Sequence, residues 1–302
     1  MWNFIKRVGI LVLTNAFIML GAYLIIYLLE RYLGINITWD TSLMSLLLYG
    51  FIFGMWWSII SLYMSKGIAK RTYNINILDI SKSESYDNKL QSIITTIKFI
   101  SDKKWVKVPE IWYYNSSDPN AFATWPSKDN SLIAVSTWLL ENMNESEINA
   151  VIWHEMAHIY NGDMVTMTLI QWLMNTFVFF LSRVVGIIWS SRTEEATRSY
   201  NPLMTFLLEI IFGITGTLII SRFSQFREYR ADKWSANILG KQGMIYALEK
   251  LQLLTQWRSK SGNDQFATMK INGWGNRLSR LFATHPTLSA RIYRLQNMKI
   301  NM

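Results

Sequence analysis

Long uncharged stretches dominate the hydrophobic pattern of this chain. Residues 8–29 and 41–64 contain 22 and 24 residues without a charged side chain, and a helix needs about 20 apolar residues to cross a bilayer. Residues 164–182 form a third uncharged stretch, and residues 203–221 form a fourth that carries only Glu209. We therefore predict about four transmembrane helices, arranged as two pairs.

The second pair has an alternative interpretation as a buried helical hairpin of a soluble domain. Arg183 and Glu209 lie in or beside these stretches, where lipid would penalise a charge. Both lie near the same end of their helices, so they can reach the interface or pair with each other, and we favour two membrane spans. The first stretch follows Lys6 and Arg7 without a small-residue cleavage site after it, which predicts an uncleaved anchor.

More polar segments lie between the two transmembrane pairs and after the second pair. Residues 84–101 repeat apolar side chains at helical spacing and predict an amphipathic helix. From Pro109 onward, β-rich runs alternate with turn-forming residues, which predicts a small hairpin-like sheet. The fold class is therefore α+β, mostly helical, with multiple membrane spans. The predicted domains are an N-terminal transmembrane pair (1–64), a cytoplasmic domain in two segments (65–163 and 222–302) and an inserted transmembrane pair (164–221).

Basic residues near the span ends predict the orientation. Nine lie on the side of the termini and four on the side of the connecting loops, which places both termini in the cytoplasm. The first group is Lys6, Arg7, Lys66, Lys70, Arg71, Arg222, Arg227, Arg230 and Lys233, and the second is Arg31, Arg183, Arg192 and Arg198. This bias and contact with anionic lipid explain the net charge of +9 without nucleic acid, for which no motif is present.

The sequence HEMAH places His154, Glu155 and His158 in a segment that otherwise reads as an apolar helix, from a start at Asn144 to a stop at Gly162. Residues four apart share one face of a helix, so both histidines can bind one ion while Glu155 reaches a water molecule beside it. A chance match would have to use two of only three histidines in the chain. The absence of cysteine excludes a thiolate site, so we predict a zinc site of histidine and carboxylate.

A third zinc ligand is expected from another helix, with the fourth position open. The segment RFSQFREYRADKW follows the fourth apolar stretch and places Glu228 and Asp232 one turn apart. Glu228 would complete the ligand set, and Asp232 would accept a hydrogen bond from a ligand imidazole. Taken alone, the two acids also fit ordinary solvated charges.

These motifs resemble those of the HtpX family, bacterial membrane-bound heat-shock zinc metalloproteases of the Ste24-like group. The matching segments are NAFAT at 120–124, VST at 135–137, HEMAH at 154–158, NGDMVTMTLIQ at 161–171, NTFVFFLSR at 175–183, FREYRAD at 226–232 and THP at 284–286. The resemblance implies one zinc ion per chain with Glu228 as third ligand. It also implies an inner-membrane endopeptidase with a cytoplasmic active site, acting in quality control on membrane-protein or unfolded polypeptide substrates.

The resemblance extends to substrate and oxyanion positions. It implies an edge strand at 120–124, where Asn120, Ala121, Phe122 and Ala123 offer main-chain hydrogen bonds to substrate with little sequence selectivity.

The resemblance also places His285 in the cleft, although a lone histidine before proline is often a surface turn residue. With the ligand positions taken, His285 is expected to donate a hydrogen bond to the oxyanion, and Arg291 is a weaker candidate for that role.

The chain departs from the family pattern at four positions. Trp125, Trp138 and Trp172 stand where glycine is expected, and Thr287 follows His-Pro where a second proline is expected. Trp125 matters most because a ring beside the edge strand can narrow the cleft.

The predicted mechanism is zinc-dependent peptide hydrolysis. Zinc polarises the scissile carbonyl and lowers the pKa of water toward about 7, while Glu155 takes a proton and passes it to the leaving amine. One alternative is a catalytically inactive zinc-binding membrane scaffold. Its structural zinc site would need a fourth protein ligand, and Glu155 would have no role in it. Another alternative is a prenyl-protein processing peptidase. Four membrane spans are too few to build the large intramembrane chamber that such an enzyme would need.

Overall fold

The computed structural model describes residues 31–32, 43–72, 75–117, 119–124, 127–190, 202–260 and 281–298. The chain divides into two compact units. The first draws on residues 1–60 and 169–216, and the second on residues 61–168 and 217–302.

Eight α-helices and four strands are found in the described residues. The helices are α1 (Leu43–Thr72), α2 (Asn88–Lys104), α3 (Thr137–Asn142), α4 (Glu145–Asn161), α5 (Asp163–Ser190), α6 (Pro202–Leu239), α7 (Lys241–Lys260) and α8 (Leu288–Gln296). The strands are β1 (Ile75–Ile77), β2 (Glu110–Tyr114), β3 (Ala121–Thr124) and β4 (Leu132–Ser136), and a 3₁₀ helix covers Ile80–Ser85.

Three of the described helices are long and apolar enough to cross a membrane. They contain the candidate spans Ser45–Arg71, Asp163–Trp189 and Leu203–Leu239. The predicted span at 8–29 lies outside the described residues. Helix α5 also presents apolar side chains to its surroundings every four residues, as a lipid-facing helix does. The exposed residues of this stripe are Leu169, Leu173, Phe177 and Leu181.

Within the first unit, α1 and α5 approach closely at Gly50 and Gly54. A Cβ atom at Gly54 would lie 2.8 Å from the Trp172 carbonyl oxygen, and one at Gly50 would lie 3.0 Å from that of Thr176. Small residues four apart allow such an approach between membrane helices. Trp172 donates an indole hydrogen bond of 2.9 Å to the Phe51 carbonyl and stacks edge-on against the Phe51 ring. Its ring therefore packs against α1.

An ion pair joins α5 and α6 in the first unit. Arg183 Nη1 lies 2.7 Å from Glu209 Oε1, and the same nitrogen donates a hydrogen bond to the Phe179 carbonyl. The two charged residues noted in the sequence are thus paired, one of the two arrangements expected for them. Pairing of this kind is how charged side chains are accommodated in membrane helices.

The second unit contains a four-stranded mixed sheet in the order β1, β2, β4, β3. β2 pairs with β4 in parallel, and β1 and β3 pair antiparallel with β2 and β4. The sequence predicted a small hairpin-like sheet before the motif, and a small sheet is present, but β1 and the parallel β2–β4 pairing were not predicted. Only β3 and β4 form a hairpin.

Helices α2 and α7 pack against α4, and their apolar faces form one core with the sheet. The predicted amphipathic helix at 84–101 is α2, whose Ile93, Ile94, Ile97 and Ile100 are all buried. This core fixes the position of α4, which carries the histidines.

Candidate metal centre

Helix α4 begins and ends where the sequence predicted. The Asn144 side chain accepts a hydrogen bond from the Glu147 amide at 2.9 Å, and the Glu147 carboxylate accepts one from the Asn144 amide at 2.8 Å. Gly162 ends the helix with φ of 69°, in the left-handed region that glycine adopts most readily. His154 and His158 therefore lie one turn apart on one buried face.

His154, His158 and Glu228 converge on one point. Nε2 of His154 lies 3.2 Å from Nε2 of His158 and 3.3 Å from Glu228 Oε2. One potential ligand atom from each residue lies within 4.8 Å of the other two. Glu228 comes from α6, which continues beyond residue 221, where the predicted span ends. The structure thus brings together the three predicted ligands.

Two buried aspartates contact the outer nitrogens of the histidines. His154 Nδ1 lies 2.9 Å from Asp232 Oδ1, and His158 Nδ1 lies 2.6 Å from Asp163 Oδ2. A carboxylate only accepts, so each Nδ1 carries the proton and donates it. In the neutral imidazoles the lone pairs are then on the two Nε2 atoms, which face each other. A cation between them fits this arrangement, since without one the lone pairs repel.

The Glu228 carboxylate also fits a metal-binding site. Its Oε1 atom is buried and has no well-formed hydrogen bond among the described residues, although His158 Nε2 lies 3.3 Å away. The nearest guanidinium groups, of Arg227 and Arg291, are 3.8 and 3.9 Å away from its carboxylate oxygens. Buried carboxylate oxygens are normally satisfied by donors or by a metal ion. A donor set of two imidazoles and one carboxylate suits zinc.

The histidines lie in a strongly negative environment. Burial lowers the pKa of His158, but its hydrogen bonds with Asp163 and Glu228 outweigh burial and raise the pKa to about 9. Burial and Arg291 lower the pKa of His154, but hydrogen bonds with Asp232 and Glu228 outweigh them, and the pKa is raised overall. The carboxylates around the cluster therefore favour positive charge at this point, and a metal ion bound to the two neutral imidazoles would supply it.

Glu155 lies on the same helix and is half-buried. Burial lowers the pKa of Arg291, but Asp232, followed by Glu228 and Glu155, outweighs burial and keeps that pKa raised. Glu155 thus shares the electrostatic environment of the histidines and Arg291. This position suits a carboxylate that acts beside the metal.

Asp163 and Arg230 were missed in the sequence. Asp163 is fully buried at the start of α5, five residues after His158, and it also accepts a hydrogen bond from Arg230. An acid about one turn beyond the second histidine was the available signal. Asp232, by contrast, contacts a ligand imidazole as predicted from its spacing to Glu228.

Arg291 lies beside the cluster and contacts Asp232. Its Nη2 and Nε atoms donate hydrogen bonds of 2.6 and 2.8 Å to the two oxygens of Asp232. The guanidinium also lies 3.3 Å from His154 Nδ1. Arg291 therefore fixes the aspartate that contacts His154, and its proposed contact with the oxyanion stays a prediction.

His285 lies at the open side of the cluster. Its side chain is 65% exposed, and its Nδ1 is 3.0 Å from Glu228 Oε2. The next residue but one, Thr287, caps α8 by accepting a hydrogen bond from the Ala290 amide. A proline at 287 would lack this cap, which gives the departure from the family pattern a structural role.

Strand β3 is an edge strand and lies against α4. It pairs with β4 from Ala121 opposite Val135 to Thr124 opposite Leu132. Asn120 precedes it and accepts a hydrogen bond of 2.9 Å from the Ser136 amide. The other edge of β3 pairs with no strand among the described residues, so its main chain can accept a further strand. The predicted substrate residues 120–123 lie here, whereas Trp125 lies outside the described residues.

The chain is similar over most of its length to known proteins. A model of Peptidase family M48 matches residues 82–299. Protease HtpX of Haemophilus ducreyi is 41% identical over 298 residues, which cover 97% of this chain and 99% of that protein. Protease HtpX of Actinobacillus pleuropneumoniae serotype 5b is 39% identical with the same coverage. The crystal structure of S. mikatae Ste24p is similar in fold, with a TM-score of 0.62 and 19% identity over 97% of this chain and 65% of that one.

Proposed function

Because this chain belongs to Peptidase family M48 and is a membrane-bound zinc metalloprotease, we propose that it hydrolyses misfolded or damaged membrane proteins at the cytoplasmic face of the inner membrane. The observation that carries this proposal is the convergence of His154, His158 and Glu228 next to Glu155. The edge strand β3 adds a binding surface for an extended peptide.

His154, His158 and Glu228 would hold the zinc ion. When bound, zinc supplies a Lewis acid that polarises the scissile carbonyl and acidifies water. Asp232 and Asp163 keep each Nε2 free of a proton by accepting from Nδ1. Arg291 and Arg230 hold those two aspartates in place. The chain therefore provides both the ligands and the groups that orient them.

Glu155 acts as general base and then as general acid. Its carboxylate takes a proton from the attacking water and delivers it to the leaving amine nitrogen, which breaks the C–N bond of the peptide. His285 is exposed at the same opening and donates a hydrogen bond to the carbonyl oxygen as negative charge develops there. Arg291 is already engaged by Asp232, so we assign the oxyanion contact to His285 alone.

Substrate binds as an added strand on β3. Main-chain groups of residues 120–123 pair with the substrate backbone, which supplies affinity without demanding particular side chains. This low selectivity suits degradation of many damaged proteins. The three candidate spans would anchor the chain in the bilayer, where membrane-protein substrates are concentrated. The distribution of basic residues supports a cytoplasmic position for the site.

Proteolysis of a denatured membrane protein by the full chain in detergent tests this proposal. We expect cleavage that stops when a chelator removes zinc and returns when zinc is restored. Glu155→Gln retains the shape of the side chain, so this variant should bind zinc normally while turnover falls by several orders of magnitude. The neighbouring surface variant Glu147→Gln, which weakens only a helix cap, is the matched control and should retain activity.

Equal cleavage by the parent and Glu155→Gln would exclude Glu155 as the base. Zinc binding without any cleavage by the parent would favour the scaffold alternative. Cleavage restricted to the C-terminal peptides of prenylated proteins would favour the processing alternative.

A further inference from the structure

Trp105 is the most exposed large hydrophobic side chain among the described residues, at 95%. It directly follows α2 with φ of 53° and is the only described residue other than glycine with positive φ. Helices commonly end with glycine or asparagine in this conformation, whereas a bulky residue there is an outlier. The tryptophan therefore gains nothing from burial and adds local strain. An exposed, strained tryptophan indicates a contact with something outside the folded domain.

Lysines flank this tryptophan along the chain. Lys103 and Lys107 are exposed, and Lys104 is half-buried. Phe99, on the last turns of α2, is 54% exposed, and the Lys103 ammonium lies 5.6 Å from its ring. We call Phe99, Lys103, Lys104, Trp105 and Lys107 the Trp105 patch. Asp102 is the acidic side chain within this stretch, so the patch carries a net positive charge.

Two contacts within the second unit connect the surroundings of the patch to residues at or beside the ends of α5 and α1. The Lys104 ammonium is 4.7 Å from the ring of Tyr160, which lies three residues before α5 begins. On the other side, Glu110 lies 2.9 Å from Lys66 Nζ and 3.1 Å from Lys70 Nζ, in the last turns of α1. Both α1 and α5 contain candidate membrane spans, so the neighbours of the patch include residues next to helices that can enter a bilayer.

We propose that the Trp105 patch is a membrane-surface contact that binds anionic lipid headgroups. Tryptophan partitions to the bilayer interface, because its ring is apolar and its N–H needs a polar partner. Lysines near the surface bind the phosphates of anionic lipids. A second copy of the chain fits less well, since the lysines of two such patches would repel each other. The contact would hold the second unit against the membrane surface through a point separate from the membrane spans.

A single probe can test this contact because the chain contains no cysteine. Trp105→Cys in the full chain is labelled with bimane and reconstituted into nanodiscs of phosphatidylcholine, with and without phosphatidylglycerol. Quenching is measured with iodide in the water and with a nitroxide attached to lipid headgroups. Labels at Leu173→Cys, exposed within the α5 span, and at Glu145→Cys, at the start of α4, serve as lipid and water references.

We expect the label at 105 to be several-fold less sensitive to iodide than the label at 145 and strongly quenched by the headgroup nitroxide. Both effects should be larger in discs with phosphatidylglycerol. Adding Lys103→Gln and Lys107→Gln should reduce them, whereas the matched control Asp102→Asn should not. Because all these side chains are exposed, zinc content should stay unchanged and report a correct fold.

Three results would overturn the proposal. The first is iodide quenching at 105 equal to that at 145 in both kinds of disc, which would place the patch in water. The second is protection from iodide and nitroxide together, which would indicate a protein partner. The third is an unchanged signal after replacement of the two lysines, which would exclude recognition of anionic lipid.

Discussion

Replacing Asp163 by asparagine tests whether the buried carboxylates behind the histidines hold the metal site. Asp163 Oδ2 lies 2.6 Å from His158 Nδ1, and the aspartate is fully buried. Asparagine can still accept the hydrogen bond, but it removes the negative charge that makes the imidazole a stronger ligand. The residue itself does not touch the ligand point, so the site should remain assembled but weaker.

The expected loss of zinc affinity follows from the role of residues that hydrogen-bond to metal ligands. Their replacement typically lowers metal affinity by about 10- to 100-fold, which corresponds to about 1.4–2.7 kcal/mol. Arg230 would keep its positive charge without its partner, and this charge acts against a second cation in the site. We therefore expect Asp163→Asn with Arg230→Gln to bind zinc more tightly than Asp163→Asn alone. Arg230→Gln by itself should have the smallest effect, because its side chain is 43% exposed.

Zinc affinity is measured by competition with a chelator of known affinity, on the full chain in detergent. Asp129→Asn, an exposed acid in a loop of the same unit, serves as the matched control. A zinc affinity of Asp163→Asn within twofold of the parent would refute the role of this carboxylate. A double variant no better than the single one would refute the role assigned to Arg230.

Further predictions concern three other contacts. Arg291→Lys and Arg291→Gln should both weaken zinc binding, because a lysine cannot reproduce the paired hydrogen bonds to Asp232; full zinc affinity in the lysine variant would contradict this. His285→Ala should keep zinc and lower kcat by about 10²- to 10³-fold; loss of zinc would make it a ligand, and unchanged kinetics would make it a surface turn residue. Arg183→Met should destabilise the folded chain by about 3–5 kcal/mol, because Glu209 is left unpaired, and replacement of both by methionine should recover most of this. Thermal unfolding in detergent measures that difference, and equal stability of the single and double variants would contradict the argument.

Local patterns were enough to locate the helix that carries the histidines. Asn144, Glu147 and Gly162 set its ends through contacts within a few residues, and those contacts form in the structure as expected. The same holds for α2 and for the three described candidate spans, because periodicity and length are properties of one segment. The spacing of the two histidines and of Glu228 and Asp232 follows from helix geometry in the same way.

Strand pairing could not be predicted from such local patterns. The sequence indicated β-rich runs around residues 110–114 and 132–136, but it did not reveal that these runs pair in parallel. Parallel strands require a crossover, and here the intervening segment forms the edge strand β3. Nothing local to either run encodes which neighbour it selects, because pairing depends on how helices cover the sheet.

The sequence by itself therefore determined the class of protein, its apolar helices, the HExxH helix and the residue types able to bind zinc. The tertiary structure decided which distant groups complete the site. Asp163 and Arg230, 67 positions apart, meet behind His158, and Arg291 meets Asp232, 59 positions away. These choices depend on packing, since a charge in a buried site is tolerated only where the fold brings it a partner. Charge type can be read along the chain, whereas the partner of each charge is set by how the helices pack.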